Sequence, residues 1–118
     1  NVEGPGFFAL HTAFQTQYEE LFLAIDEIAE RIRALDAYAI GGLGTLARAA
    51  QMTEFASPLA QADYVRALIA ANEKLVGDAA RARDVAGSAN DAESQDLMIG
   101  RITLHQKTIW MLKSFLKD

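Results

Sequence analysis

Apolar side chains recur at helical spacing through the first third of the chain. Between about residues 6 and 35, every seventh position is apolar: Phe7, Phe14, Leu21, Ile28 and Leu35. Further apolar residues fill the intervals of three or four: Leu10, Tyr18, Ile25 and Ile32. This period predicts one long amphipathic helix. Phe8, Phe22 and Ala29 lie off the stripe, so we expect a second buried face, as at a subunit contact.

A loop punctuated by glycines is predicted next, at residues 36–44. Thr45 is a favourable N-cap residue and predicts a short helix that runs to about Phe55. Ser57 followed by Pro58 then matches the N-cap and the first position of a further helix. The chain therefore passes from a long helix through a short one to a second long one.

The second long helix keeps its apolar stripe to about Val85, and residues 87–90 are predicted to break it. Asp91 or Asn90 caps a last helix, in which apolar residues recur every seven positions: Leu97, Leu104 and Met111. The pattern predicts three long helices of about 25 to 30 residues each. Such lengths are typical of an all-α bundle, which a fourth long helix upstream of Asn1 would complete.

Charge and composition narrow the possible functions. The net charge is −5, from 16 acidic and 11 basic residues, and no basic cluster stands out that would attract a phosphate backbone. An acidic surface suits metal cations better. The absence of cysteine excludes disulfides, a thiolate metal site and thiol catalysis. No apolar run approaches the roughly 20 residues that span a bilayer, so we expect a soluble protein with no membrane partner.

Two polar pairs on the first predicted helix could bind a metal ion. His11 and Gln15 are four residues apart, and so are Asp26 and Glu30, so each pair presents two donor atoms on one helix face. At about 1.5 Å per residue, His11 and Asp26 are roughly 22 Å apart. One metal ion can contact both pairs only if two copies of the helix cross antiparallel about a two-fold axis. That symmetry creates two identical sites.

A solvated helix face is the commoner explanation of such pairs, and the spacing alone does not decide between the two. The other usual arrangement, a di-iron site inside a bundle, needs Glu-x-x-His motifs. Phe8 and Ile102 stand three residues before the two histidines, His11 and His105, so this motif is absent. His105 lies in an apolar stripe, and we predict that it is a hydrogen-bonded core or interface histidine rather than a ligand.

Four segments of the chain form a specific pattern when they are taken together. Residues 25–31 read Ile-Asp-Glu-Ile-Ala-Glu-Arg, and residues 18–21 read Tyr-Glu-Glu-Leu. Residues 1–11 read Asn-Val-Glu-Gly-Pro-Gly-Phe-Phe-Ala-Leu-His, and the last helix carries His105-Gln106-Lys107 followed by Trp110-Met111-Leu112. With the short helix between two long ones, these segments resemble the Dps family (DNA-binding protein from starved cells) over essentially the whole chain.

The resemblance implies an all-α, ferritin-like four-helix bundle with a short extra helix between its second and third long helices. The first long helix is then expected upstream of Asn1, and residues 1–118 form a single ferritin-like helical domain that lacks it. The resemblance also implies a homo-oligomer, a shell of twelve subunits. Its location would be cytoplasmic, and nucleoid-associated if DNA is bound.

A ferroxidase centre at the two-fold interface is implied as well. The catalytic residues and iron ligands that the resemblance implies are His11 of one subunit and Asp26 and Glu30 of its partner. The implied reaction is oxidation of ferrous iron by hydrogen peroxide or dioxygen, followed by storage of ferric mineral inside the shell. Such a reaction would protect the cell against oxidative damage.

One position departs from the family pattern at this centre. Gln15 stands where the family usually has an acidic residue, and a neutral amide is a weaker ligand for iron. Glu19, one turn further on, is a candidate substitute. A further family histidine would fall just before Asn1. Both a di-iron and a mono-iron centre therefore stay open.

Three acidic residues, Asp91, Glu93 and Asp96, lie at the start of the last predicted helix. Acidic residues there commonly cap a helix and complement its dipole. In Dps-like shells this region surrounds three-fold pores, where rings of carboxylates would draw cations in.

Two other functions remain open. One is a Dps-like shell whose main role is DNA compaction. Family members with this role often use a flexible lysine-rich terminus, whereas this chain ends at Lys117 and Asp118 with no basic tail. The other is a structural shell with an impaired ferroxidase centre, because Gln15 departs from the family pattern.

Overall fold

The fold is helical throughout the part of the chain that is described. The computed structural model describes residues 1–117. The helices are α1 (Phe7–Ala34), α2 (Leu43–Ala50), α3 (Gln61–Ser88) and α4 (Ala92–Phe115), and no strand occurs in that range. Three long helices, with a short one between the first two, confirm the predicted all-α class. Asn1–Pro58 forms one unit, with α1 and α2, and a second unit begins at Leu59 and contains α3 and α4.

The helix that carries the candidate ligands, α1, has 28 residues. It is therefore about 42 Å long, close to the predicted span of residues 6–35. Backbone hydrogen bonds close its C-terminal end: the N–H of Ala37 donates to the Ile32 carbonyl at 3.2 Å, and Asp36 adopts a left-handed φ of 62°. Arg31 and Arg33 in the last turn complement the negative end of the helix dipole. These interactions define the C-terminal end of α1 at Ala34.

The short helix α2 differs from its prediction at both ends. It begins at Leu43 because Gly42, at the N-cap position, adopts a φ of 85° that glycine tolerates. It ends at Ala50 because Gln51 enters the left-handed region with a φ of 49°. The predicted N-cap at Thr45 is therefore wrong. Thr45 lies inside α2, and its hydroxyl accepts a hydrogen bond from an Arg48 side chain at 3.2 Å.

The start of α3 also differs from the sequence prediction. The helix begins at Gln61, with Ala60 in the N-cap position in an extended conformation (ψ 148°). The predicted N-cap at Ser57 is wrong because that residue lies too far before Gln61 to reach the first helical N–H groups. The N–H of Leu59 donates to the Tyr64 hydroxyl at 3.1 Å, which ties the incoming chain to the first turn of α3.

The turn between α3 and α4 comes later than predicted. Gly87 is helical, and the break occurs at Asn90, which has a left-handed φ of 58°. A Cβ atom at Gly87 would lie 2.5 Å from Nε2 at the end of the Gln95 side chain, which would have to shift to make room. Asp91 accepts a hydrogen bond from the Ser94 N–H at 3.0 Å, which confirms Asp91 as the N-cap of α4.

Helices α3 and α4 pack against each other as an antiparallel hairpin, because only residues 89–91 connect them. The largest buried apolar side chains of this unit come from both helices: Tyr64, Val65, Ile69 and Leu112. On the surface, Lys113 of α4 donates to Glu73 of α3 at 2.7 Å. Exposed pairs of this kind contribute little, so burial of apolar area is the main stabilising term in the hairpin.

We expect Asp91→Ala to lower the free energy of unfolding by about 1 kcal/mol, because the Ser94 N–H loses its acceptor at the start of α4. Asp91→Asn keeps a side-chain oxygen and should stay close to the wild-type value. Urea denaturation of both variants at equal protein concentration measures the difference. Equal losses in the two variants would mean that charge, not capping, matters at this position.

One carboxyl group of α3, that of Asp78, has a lowered pKa. The Lys74 ammonium donates to Asp78 Oδ2 at 2.7 Å and holds the pKa of the Asp78 carboxyl below its usual value of 3.8, with a further contribution from Arg81. A lowered folded-state pKa means that the pair stabilises the fold above the unfolded-state pKa. That stabilisation is lost as the pH falls through the folded-state value.

Asp78→Asn should therefore lower the free energy of unfolding at pH 7 by less than about 1 kcal/mol, because the pair is partly exposed and screened by solvent. The difference from wild type should disappear below the folded-state pKa. Urea denaturation between pH 2 and pH 7 tests this, with Asp84→Asn as a comparison for a more exposed carboxylate of the same helix, which pairs with Arg83 at 2.8 Å. A difference that persists at the lowest pH would point to a cause other than the carboxylate charge.

Candidate metal centre

The candidate ligands share one exposed face of α1. At about 100° per residue, His11, Gln15, Asp26 and Glu30 fall within an arc of about 100° around the helix axis. All four side chains are exposed in the single chain. His11 and Gln15 lie towards the N-terminal end of this face, and Asp26 and Glu30 lie towards its C-terminal end.

The His11 imidazole is oriented by an aromatic neighbour. Its ring stacks on Phe7, one turn earlier, with centroids 5.2 Å apart and an angle of 29° between the planes. Phe7 in turn contacts the edge of Phe8 at a centroid distance of 5.3 Å. Stacking restricts the rotation of the imidazole, which reduces the conformational entropy lost when the ring binds a cation.

Gln15 makes a hydrogen bond along the same face. Its Nε2 donates to Glu19 Oε1 at 2.8 Å, and both side chains are exposed. The bond joins residues one turn apart, so it continues the row of polar side chains that begins at His11. Glu19 therefore lies beside the predicted ligands, about 20° around the helix from Asp26.

The two ends of this face do not form a complete site within one chain. Among residues 1–117, no three His, Cys, Asp or Glu side chains come close enough to hold a metal ion. In the same range, the carboxylates of Asp26 and Glu30 make no hydrogen bond or ion pair. Imidazole nitrogen and carboxylate oxygen are both donor types that bind iron.

Large apolar side chains occupy the middle of α1 and remain exposed. Tyr18, Phe22 and Ile25 are 61%, 75% and 67% exposed. Phe22 belongs to the second apolar face that the sequence predicted, and that face is uncovered in the single chain. Tyr18 and Ile25 were predicted to join the buried stripe, so their exposure is a difference between the sequence pattern and the structure. Exposed side chains of this size indicate an interaction surface.

His105 is buried in a polar network between α3 and α4. An Arg101 side-chain N–H lies 2.9 Å from His105 Nε2, and His105 Nδ1 lies 2.8 Å from Asn72 Oδ1. Arginine can only donate, so Nε2 accepts from Arg101 and the Nδ1–H group donates to Asn72 Oδ1. Asn72 Nδ2 donates to the Leu68 carbonyl at 2.8 Å, which is consistent with this direction. The prediction of a hydrogen-bonded, non-ligating His105 is confirmed.

Sequence reasoning missed two members of this network. Arg101 and Asn72 are both buried. Arg101 stands four residues before His105, and Asn72 interrupts the apolar stripe of α3. A polar residue in an apolar stripe, facing a helix with a histidine, was the available signal, because buried polar groups are nearly always hydrogen-bonded.

The three acidic residues at the start of α4 have different surroundings. Asp91 is half-buried and caps the helix, whereas Glu93 and Asp96 are exposed in its first two turns. Capping is thus established for Asp91. Glu93 has the position in which an acidic side chain complements the helix dipole.

No helix within residues 1–117 is long and apolar enough to cross a membrane.

The family model for the ferritin-like domain matches residues 1–118 of the chain. The DNA protection during starvation protein of Brevibacillus brevis is 33% identical over 117 residues, which are 99% of this chain and 78% of that protein.

Solved structures show the same relationship. The chain is similar to Dps from Staphylococcus aureus with a TM-score of 0.94 and 33% identity, over 99% of this chain and 78% of that one. It is similar to a Dps protein from Vibrio cholerae O1, described as a member of a broad superfamily of ferritin-like diiron-carboxylate proteins, with a TM-score of 0.93 and 32% identity. That match covers 99% of this chain and 74% of the other. An all-α fold with a short helix between long ones, together with these matches, establishes that the chain belongs to the Dps family of ferritin-like proteins.

Proposed function

We propose that this protein is a ferroxidase that oxidises ferrous iron with hydrogen peroxide or dioxygen and stores the ferric product inside a shell. Membership of the Dps family supports iron as the substrate, as does the diiron-carboxylate superfamily to which the Vibrio cholerae relative is assigned. Consumption of ferrous iron and peroxide together would protect the cell against oxidative damage.

The observation that carries the proposal is the exposed apolar surface between the two halves of the site. The middle of the span from His11 to Glu30 falls beside Phe22, which is 75% exposed. Antiparallel pairing of two copies of α1 about this middle buries apolar side chains of both copies. The same pairing brings His11 of one subunit to Asp26 and Glu30 of the partner subunit, twice by symmetry.

The chemistry of the ligands fits the reaction. In the peroxide reaction, two ferrous ions each lose one electron to one peroxide molecule, which takes up two protons and leaves as two water molecules. The carboxylates of Asp26 and Glu30 favour the more highly charged ferric product, and His11 contributes a neutral nitrogen donor. Gln15 contributes only an amide, which is a weak ligand for iron. The site therefore holds one iron ion firmly, and a second one weakly or not at all.

The proposed assembly is a homo-oligomeric shell of twelve subunits, in which residues 1–118 form one ferritin-like domain together with a further long helix upstream. Glu93 and Asp96, beside the Asp91 cap, supply carboxylates at the pores through which iron enters.

Anomalous diffraction at the iron edge, measured on crystals of the assembled protein soaked anaerobically in ferrous iron, tests the site directly. We expect peaks between His11 of one subunit and Asp26 and Glu30 of its two-fold mate. The number of peaks per site then distinguishes a mono-iron centre from a di-iron one. Intact shells with saturating iron and no peak at this position would reject the ferroxidase site.

A second candidate function is DNA compaction by the shell. The Brevibacillus brevis relative has DNA protection in its name, which favours this alternative. The net charge of −5 and the pairing of Lys113 with Glu73 argue against strong phosphate binding by the described surface. A gel-shift titration at 50 mM and 200 mM salt tests for DNA binding by this protein. Binding through phosphate contacts should weaken steeply from the lower to the higher salt concentration.

A further inference from the structure

We propose that Glu19 is a metal ligand of the α1 site and that Gln15 positions its carboxylate. This inference rests on the proposed function, since it assigns a residue to the same metal centre. Gln15 Nε2 donates to Glu19 Oε1 at 2.8 Å, on the face of α1 that carries His11. Glu19 is exposed, so its carboxylate is accessible to a cation and to a second copy of the helix.

The direction of the side chains brings the Glu19 carboxylate over the turn of α1 that holds Gln15. Side chains on an α-helix lean towards its N-terminus, so Glu19 reaches back over the turn that holds Gln15. The hydrogen bond keeps the carboxylate within 2.8 Å of the Gln15 amide nitrogen. A carboxylate has about four lone-pair positions, and one accepted bond leaves the others for a metal ion.

Charge balance also favours a carboxylate from this half of the site. His11 and Gln15 are neutral side chains, so without Glu19 the negative charge comes only from Asp26 and Glu30 of the partner subunit. Those two carboxylates balance a ferrous ion but leave a ferric ion with one uncompensated charge. Glu19 supplies the third negative charge, on the side of the site that otherwise has none.

The competing explanation is an ordinary surface pair. Hydrogen bonds between residues four apart stabilise helices by about 0.2 to 0.5 kcal/mol, and many have no other role. A surface pair predicts that neutralising Glu19 leaves metal binding unchanged. A ligand predicts a loss of affinity, so the two explanations separate in a binding measurement.

Calorimetric titration of the assembled protein with Co²⁺, a redox-stable divalent probe, is the test, with the visible Co²⁺ absorption spectrum as a second readout. We expect Glu19→Gln to weaken Co²⁺ binding at least about tenfold and to change the spectrum. Glu27→Gln is the matched control, because Glu27 is exposed on α1 about 80° around the axis from Glu19. It should leave both readouts unchanged.

The positioning role of Gln15 has its own test. Gln15→Leu should weaken Co²⁺ binding by a smaller factor than Glu19→Gln. The double variant should bind no more weakly than Glu19→Gln alone if Gln15 acts through Glu19. Independent, additive losses would overturn the positioning role. All exchanged side chains are exposed, so the helix remains folded, and sedimentation verifies the assembly.

His11→Ala distinguishes failure of this inference from failure of the proposed function. Loss of Co²⁺ binding in His11→Ala, together with wild-type binding in Glu19→Gln, would overturn the role of Glu19 and leave the ferroxidase site standing. Wild-type binding in both variants would overturn the metal site itself. Weakened binding in both, with an unchanged Glu27→Gln control, supports Glu19 as a ligand.

Discussion

Replacement of Asp26 and Glu30 by alanine together should reduce peroxide-driven oxidation of ferrous iron at least about 100-fold. Loss of a residue that only supports a metal ligand commonly costs about 10- to 100-fold in affinity or activity, and loss of two ligands should cost at least as much. Both carboxylates are exposed in the single chain, and neither makes a hydrogen bond or ion pair within residues 1–117. The double variant should therefore fold and assemble, so that the effect falls on iron chemistry.

The measurement is the rate of ferric absorbance growth after peroxide is added to the anaerobic ferrous protein. Glu27→Ala is the matched control, because it removes an exposed carboxylate from another side of α1. It should oxidise iron at the wild-type rate. Unchanged oxidation in the double variant, with intact shells, would refute the site assignment, because iron would then be oxidised without these two carboxylates.

His105→Leu should lower the free energy of unfolding by about 3 kcal/mol, the largest expected effect on stability. Leucine removes both ring nitrogens from a site where the histidine is only 4% exposed. Asn72 Oδ1 then loses its donor and Arg101 loses an acceptor. A buried polar group without a partner costs about 1 to 3 kcal/mol, which is more than the net contribution of the hydrogen bond it lost.

Urea denaturation at fixed protein concentration measures this effect, with Gln106→Leu as an exposed neighbour that should change stability by less than about 0.5 kcal/mol. Asn72→Leu with His105→Leu completes a double-mutant cycle. We expect the double variant to be more stable than the sum of the single losses predicts, because removing both partners leaves fewer unsatisfied groups. Strict additivity would contradict direct coupling between the two side chains.

The sequence names the residues of the candidate metal site, and that site stays a prediction. The spacing of His11, Gln15, Asp26 and Glu30 places them on one helix face, and helix geometry alone excludes a shared metal ion within one copy. The resemblance to the Dps family supplied the pairing of subunits. The hydrogen bond from Gln15 to Glu19 was not predictable, because rotamers of exposed side chains are set by their local surroundings.

The sequence by itself determined the helical elements, because hydrophobic period is a property of the chain. The span of α1 was predicted closely, and Asp91 was one of the two N-caps predicted for α4. The starts of α2 and α3 were not, since the conformation of Gly42 and of the segment before Gln61 depends on backbone angles that residue preferences leave open.

Only the tertiary structure decided which apolar and polar residues are buried. Tyr18 and Ile25 have the same spacing as buried residues yet are exposed, because burial depends on what a helix packs against. Arg101 and Asn72 are polar yet buried, because His105 lies between them and provides their hydrogen-bond partners when α4 packs on α3. Periodicity specifies which residues share a face, and packing decides which face is covered.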